Sequence, residues 1–212
     1  MSSEGDYDRA ITDYNKALEI NPRFAGAYHN RGFAWYQKGY QDRAIADFTK
    51  AIEINPRYTR AYLHRGNIWG DRGNHDQAIA DYTKALEINP RYAIAYHNRG
   101  REWVIKGDYD RAIIDFNKAL GINESYADAY HMRGLAYAYK NDYNRAIQDY
   151  TKALEINPYL LVSYQKRSIA WALKGDLYRA LDDGQKALDL NPKDKEAQTL
   201  VELLKAEIKR RK

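Results

Sequence analysis

An Asn-Pro pair stands at Asn21-Pro22, Asn55-Pro56, Asn89-Pro90, Asn157-Pro158 and Asn191-Pro192, and Asn123-Glu124 fills the one gap. The chain therefore returns to the same signal every 34 residues. A fixed period of this size means that each repeat is one supersecondary unit, too small to bury its own apolar face. It constrains the fold more than any single residue does, and Ala25 to Tyr58 is its clearest copy.

Within that copy, Ala25, Tyr28, Gly32 and Trp35 recur three or four apart and line one face of a first helix. Lys38-Gly39 stops this helix, because glycine accepts the left-handed conformation that closes a helix end. Ala44, Ile45, Phe48, Ala51 and Ile52 form a second apolar stripe. Asn55-Pro56 ends it, since a residue before proline is pushed out of the helical region. The product is two antiparallel helices joined by a tight turn. Gly32, Gly66, Gly100 and Gly134, with Ser168 in the last copy, sit inside the first helices. A mid-helix glycine costs about 1 kcal/mol relative to alanine, so its recurrence predicts close helix–helix approach.

An aromatic, then Gly, then Trp or Tyr, then Ala, an aromatic, Ala and Pro at these spacings resembles the tetratricopeptide repeat, over nearly the whole chain. The resemblance implies an all-α fold, a right-handed superhelical solenoid of antiparallel helix pairs with a C-terminal capping helix. As one domain over 1–212 it divides into a half repeat at 5–24, full repeats at 25–58, 59–92, 93–126, 127–160 and 161–194, and a cap at 195–212. Gly5 is expected to be the turn of the half repeat. Three departures stand out: Glu124 for the proline, Asn141 for the turn glycine, and Gly184 for the second-helix aromatic. The last is expected to loosen its helix pair.

The chain has no cysteine, which excludes disulfides and thiolate chemistry. No signal peptide and no apolar run of about 20 residues are visible, so no membrane association and a cytoplasmic location are expected. The net charge is +5 with a pI near 9.1, and most charges repeat with the unit. Arg31, Arg65, Arg99, Arg133 and Arg167 share one slot on the first helices. Asp13, Asp47, Asp81, Asp115, Asp149 and Asp183 share one on the second. Opposite charges in two slots that the family often fills with apolar residues predict an interhelical Arg–Asp pair. The rival is a local pair such as Arg43 with Asp47, worth only about 0.2–0.5 kcal/mol.

Function is expected where the units differ. The resemblance implies that first helices line a concave groove holding a partner protein or an extended peptide. The groove candidates are His29, Asn30, Phe33, Arg60, His64, Asn67, His97, Asn98, Arg101, His131 and Lys166. Asn30, Asn67 and Asn98 draw the most interest, because an amide can pair with a backbone N–H and C=O together. The carboxylate clamp of chaperone-binding relatives does not fit: its slots hold Leu63, Asn67, Asn98, Asp128 and Met132, without the lysine and with an acid that repels a carboxylate.

His29, His97 and His131 share a slot, yet no Cys or carboxylate completes a metal set, so no metal or cofactor is expected. No phosphate loop and no nucleophile–base arrangement is present, and the chain is read as no enzyme, with no catalytic residue. RNA binding is the alternative, suggested by Tyr-rich basic composition and the ending Lys209-Arg210-Arg211-Lys212. Nucleic acid is disfavoured, because most aromatics fall on the buried stripes. Finally, Ile11, Tyr14 and Leu18 belong to a second helix without its first-helix partner, which predicts an exposed apolar strip and self-association.

Overall fold

The computed structural model describes residues 4–211, as twelve α-helices and no strand among those residues. They form two compact units, dividing between Glu102 and Trp103. The first holds α1 (Glu4–Ile20), α2 (Ala25–Gln37), α3 (Gln41–Ile54), α4 (Thr59–Asp71), α5 (His75–Ile88) and most of α6 (Ala93–Ile105). The second holds the end of α6, then α7 (Tyr109–Ile122), α8 (Ala127–Tyr139), α9 (Tyr143–Ile156), α10 (Leu161–Leu173), α11 (Leu177–Leu190) and α12 (Lys195–Arg210). The fold class is an all-α helical-repeat solenoid.

Helix ends follow the local chemistry. Gly39, after α2, has φ 81°, and its N–H donates to Tyr36 O at 2.9 Å. Asn141 takes the same role after α8 with φ 60°, the one non-glycine residue with positive φ among those described. Asn tolerates this region because its short polar side chain bonds locally. After α3, Asn55 is extended at φ −130° and its Oδ1 accepts the Arg57 N–H at 3.0 Å. Asn123 does the same at φ −134° toward Ser125 N–H at 3.1 Å, although Glu124 follows it. The asparagine turn thus survives without its proline.

Packing uses the small residues as contact points. A Cβ built on Gly66 would lie 2.8 Å from the Tyr82 ring, and one on Gly134 would lie 2.9 Å from the Tyr150 ring. Only a residue without a side chain lets these aromatics in. In the first unit Ala44, Phe48, Ala51, Ala61 and Ile68 form one buried cluster, and Tyr82 centres the next with Leu63, Ala78, Ala85 and Ala95. In the second unit Phe116 packs with Val104, Ala112 and Ala136.

Arginine and aspartate join the helices as the slots predict, and more extensively. Arg31 Nε and NH2 donate to both oxygens of Asp47 at 2.8 and 2.7 Å. Arg65 does the same with Asp81, Arg133 with Asp149 and Arg167 with Asp183. The remaining NH1 reaches back to the preceding second helix: Arg31 to Asn15, Arg65 to Thr49, Arg133 to Asn117 and Arg167 to Thr151. Each guanidinium therefore ties three helices, a job that its planar fork of five donors suits.

Two expectations are corrected at the ends. α1 begins at Glu4, so Gly5 lies within the helix and not in a turn. Ile11 is 5 % exposed and Leu18 8 %, because α2 covers them within the chain. Tyr14 is half-buried, so the expected open strip does not exist at these residues. The pair with Gly184 is not loosened either. Val201 of α12 comes within 3.2 Å of where a Gly184 Cβ would stand, and Ser168 Oγ donates to Ala180 O at 2.6 Å. α12 supplies the bulk that the missing aromatic withheld, and Asp194 caps it by accepting from Ala197 N–H at 2.8 Å.

Candidate functional site

The first helices carry the groove candidates, and within the first unit the structure gathers most of them. His29 is buried, with its ring 5.6 Å from Phe48, 5.0 Å from Tyr58 and 5.3 Å from His64. His64 stacks on Phe48 at 5.7 Å and meets the partly exposed Phe33 at 5.2 Å. Burial first, then His29 and exposed Arg60 beside it, push the His64 imidazole down to about 4. Burial also lowers His29, against a hydrogen bond to Asn30 that raises it. Both rings are neutral near pH 7 and act as aromatic wall rather than as cations.

Asn30 is spent on its neighbour, its Oδ1 lying 3.0 Å from His29 Nδ1. Asn67 and Asn98 meet each other instead. Asn98 Nδ2 donates to Asn67 Oδ1 at 2.8 Å, and the Tyr82 hydroxyl donates to the same oxygen at 2.8 Å. That carbonyl is saturated. The pair still offers the Asn98 carbonyl and the Asn67 N–H groups, one acceptor and a donor on neighbouring helices. His97, on α6 beside Asn98 in sequence, is buried.

Arg101 leads to a feature that the slot reading passed over. Its NH2 donates to Glu102 Oε1 at 3.2 Å, and His75 Nδ1 lies 2.7 Å from Glu102 Oε2. Glu102 is entirely buried, with its carboxylate occupying the space that a Gly70 side chain would fill. A pairing signal was present in the sequence. Glu102 stands where other repeats have Ala34, Ile68, Ala136 or Ala170, and Gly70 replaces bulkier Tyr36 or Val104. On the same face the Tyr36 hydroxyl donates to Asp71 Oδ2 at 2.9 Å.

In the second unit the corresponding face is oily. His131 Nδ1 lies 2.8 Å from the buried Ser163 hydroxyl, and its ring stands 5.5 Å from Tyr150. Burial lowers it to about 4, with Asp128 opposing and Lys166 reinforcing the shift. Lys166 shares α10 with the exposed Val162, Ile169 and Leu173. No described helix is long and apolar enough to cross a membrane.

Stacked antiparallel helix pairs with a ligand-sized face on their first helices define a helical-repeat array. The chain belongs to the tetratricopeptide repeat family: profiles described as tetratricopeptide repeat match residues 25–58, 59–92 and 127–160, and one described as TPR repeat matches 3–39 and 100–139. It is similar to the crystal structure of MamA protein, at 28 % identity and TM-score 0.72, covering 80 % of this chain and 92 % of that one. It is also similar to YrrB, described as a TPR protein with an unusual peptide-binding site, at 22 % identity and TM-score 0.75 over 88 % and 96 %. PilF of Pseudomonas aeruginosa shares the fold at 19 % identity and TM-score 0.81 over 92 % and 89 %. No curated protein matches the chain.

Proposed function

We propose that this protein is an interaction scaffold that holds an extended partner segment against its first helices. The observation that carries the reading is the Asn67–Asn98 pair. Tyr82 and the mutual hydrogen bond hold both amides in place, yet an acceptor and donors are left over. A peptide backbone supplies the complementary N–H and C=O at no particular side chain, so recognition here is of main chain. His29, Phe33 and His64 supply an aromatic wall beside Arg60, and in the other unit His131 and Lys166 flank an apolar strip. The crystal structure of YrrB is described by its peptide-binding site, which agrees with this reading. The scaffold works by binding, not by catalysis.

The competing nucleic-acid reading draws on the same cations and aromatics, but many of these already satisfy one another. The guanidinium carbon of Arg43 sits 4.6 Å from the Trp35 ring, and Arg111, Arg145 and Arg179 cover Trp103, Tyr137 and Trp171 at 4.2, 4.4 and 4.1 Å. A base cannot stack where a guanidinium lies. Self-association through Ile11, Tyr14 and Leu18 also has less behind it, since the chain buries two of the three itself.

The test is selection of peptides from a displayed random library against the full chain, followed by anisotropy titration of one synthetic peptide. Asn98→Ala with Arg101→Ala should weaken it about tenfold, while Lys84→Ala with Lys118→Ala on second helices should leave it unchanged. Equal losses from both pairs would refute the first-helix site.

A further inference from the structure

The second helices share one face, built from Ala, Asp, an aromatic and Ala: Ala44, Asp47, Phe48 and Ala51 in α3, and Ala10, Asp13, Tyr14 and Ala17 in α1. In α3 this face is closed, with Asp47 6 % exposed and the other three 0 %. In α1 it is open. Asp13 is exposed and Ala10, Tyr14 and Ala17 are only half-buried, while α2 packs over Ile11 and Leu18 on the other side. We propose that this face of α1 docks a helix of a partner protein bearing the pattern Tyr-x-x-Arg-Gly, or Ser in place of Gly, with its arginine on Asp13. The surface is separate from the first-helix groove.

The chain itself shows what such a face accepts. α2 covers α3, α4 covers α5, α8 covers α9 and α10 covers α11. Each covering helix places an arginine on the aspartate, and the next residue is Gly32, Gly66, Gly134 or Ser168. A Cβ on Gly32 would stand 3.0 Å from Asp47 Cβ, and one on Gly66 2.8 Å from the Tyr82 ring, so this position must stay small. Three residues before the arginine stands a tyrosine that props the guanidinium, as Tyr28 does for Arg31 at 5.4 Å and Tyr164 for Arg167 at 5.7 Å.

Asp13 fixes the charge of the occupant. Its equivalents Asp47, Asp81, Asp149 and Asp183 each accept two hydrogen bonds from an arginine. Asp13 makes no hydrogen bond or ion pair among the described residues. A carboxylate that becomes covered needs a cation with donors for both oxygens, and a guanidinium supplies them.

A second copy of this chain does not fit. Its arginines of this type are already hydrogen-bonded within the chain. α12, which also stands in a first-helix slot, has Gln198, Val201 and Glu202 where the pattern needs Tyr, Arg and Gly. Val201 is buried in its own chain, and Glu202 would bring a second carboxylate to Asp13.

The experiment titrates the isotope-labelled full chain with a blocked peptide of the α2 sequence, Ala25–Gln37, and with its Arg31→Glu variant, followed by amide NMR. Shifts should centre on Ala10, Asp13, Tyr14 and Ala17, and the parent peptide should bind about thirtyfold tighter, as for a covered charge pair. Asp13→Arg, at an exposed position, should keep the fold and reverse the order of the two peptides. The same order with both chains, or no shift on α1 up to millimolar peptide, would overturn the proposal. Shifts confined to Asn67 and Asn98 would also overturn it while leaving the groove reading intact. Sedimentation of the chain alone should show no association through α1. Dimers that Asp13→Arg dissolves would make a second copy the occupant, and would overturn the partner helix.

Discussion

Arg65 and Asp81 meet through two parallel hydrogen bonds of 2.8 and 2.7 Å, and the third arm of the guanidinium holds Thr49 on the helix before. The aspartate is nearly buried, so the arginine is its compensating charge. At Asp149 burial pushes the carboxyl up, and Arg133 pulls it down. Arg65→Met should destabilise the chain by about 3 kcal/mol, because it leaves Asp81 uncompensated. Arg65→Met with Asp81→Leu should recover most of that loss, since an apolar replacement of both partners is often neutral. Urea unfolding of the single and double variants measures it. A double variant no more stable than the single would mean that the tie to Thr49 matters more than the ion pair.

The glycines separate packing from propensity. Gly66→Ala places its Cβ 2.8 Å from the Tyr82 ring, and should destabilise by about 1–3 kcal/mol as an overpacked core does. Gly121, in α7, has open space around it, so Gly121→Ala should stabilise by about 0.5 kcal/mol through helix propensity alone. Thermal melts of the two variants should move in opposite directions.

How much of this was legible beforehand follows from what repeats. The helix pairs, the turn glycines and the Arg–Asp ties recur at a fixed slot, so several copies report on one physical requirement. What does not repeat was hidden. Glu102 is a single buried carboxylate whose partners His75 and Gly70 come from a different repeat, and only reading the facing slots together would have found it. The burial of Ile11 and Leu18 escapes a reading based on the absent first-helix partner, because α2 of the next repeat covers both. Among the groove candidates, placement on the first helices followed from periodicity. That Asn67 turns its carbonyl to Tyr82 and Asn98, while Asn30 turns to His29, depends on side-chain direction, which spacing does not encode.

The depressed histidines set a pH dependence. His64 and His131 both lie near 4 in the folded chain against an ordinary 6.5, with burial the main cause. Between those values the unfolded chain takes up a proton that the folded chain refuses. Stability is therefore full above pH 6.5 and falls as pH drops toward 4, by up to about 1.4 kcal/mol per pH unit for each histidine. Chemical unfolding at intervals across that window should show the slope. His64→Gln and His131→Gln should each flatten it, and a slope unchanged in both variants would assign the pH dependence to the carboxylates instead.

Glu102 and Gly70 offer a test of mutual fit. A Cβ on Gly70 would stand 2.8 Å from Glu102 Oε1, and the carboxylate is fixed from its other side by His75 and Arg101, so it has little room to yield. Gly70→Ala alone should therefore destabilise, by roughly 1–3 kcal/mol, despite the better helix propensity of alanine. Glu102→Ala alone should also destabilise, because it empties a buried position and strips His75 of its partner. In the Glu102→Ala background the clash is gone, and Gly70→Ala should now stabilise by about 0.5–1 kcal/mol. The sign of the Gly70 substitution thus reverses with the residue at 102. Melting temperatures of the two single variants and the double complete the cycle, and a Gly70→Ala effect of the same sign in both backgrounds would show that the carboxylate does not set the space at Gly70.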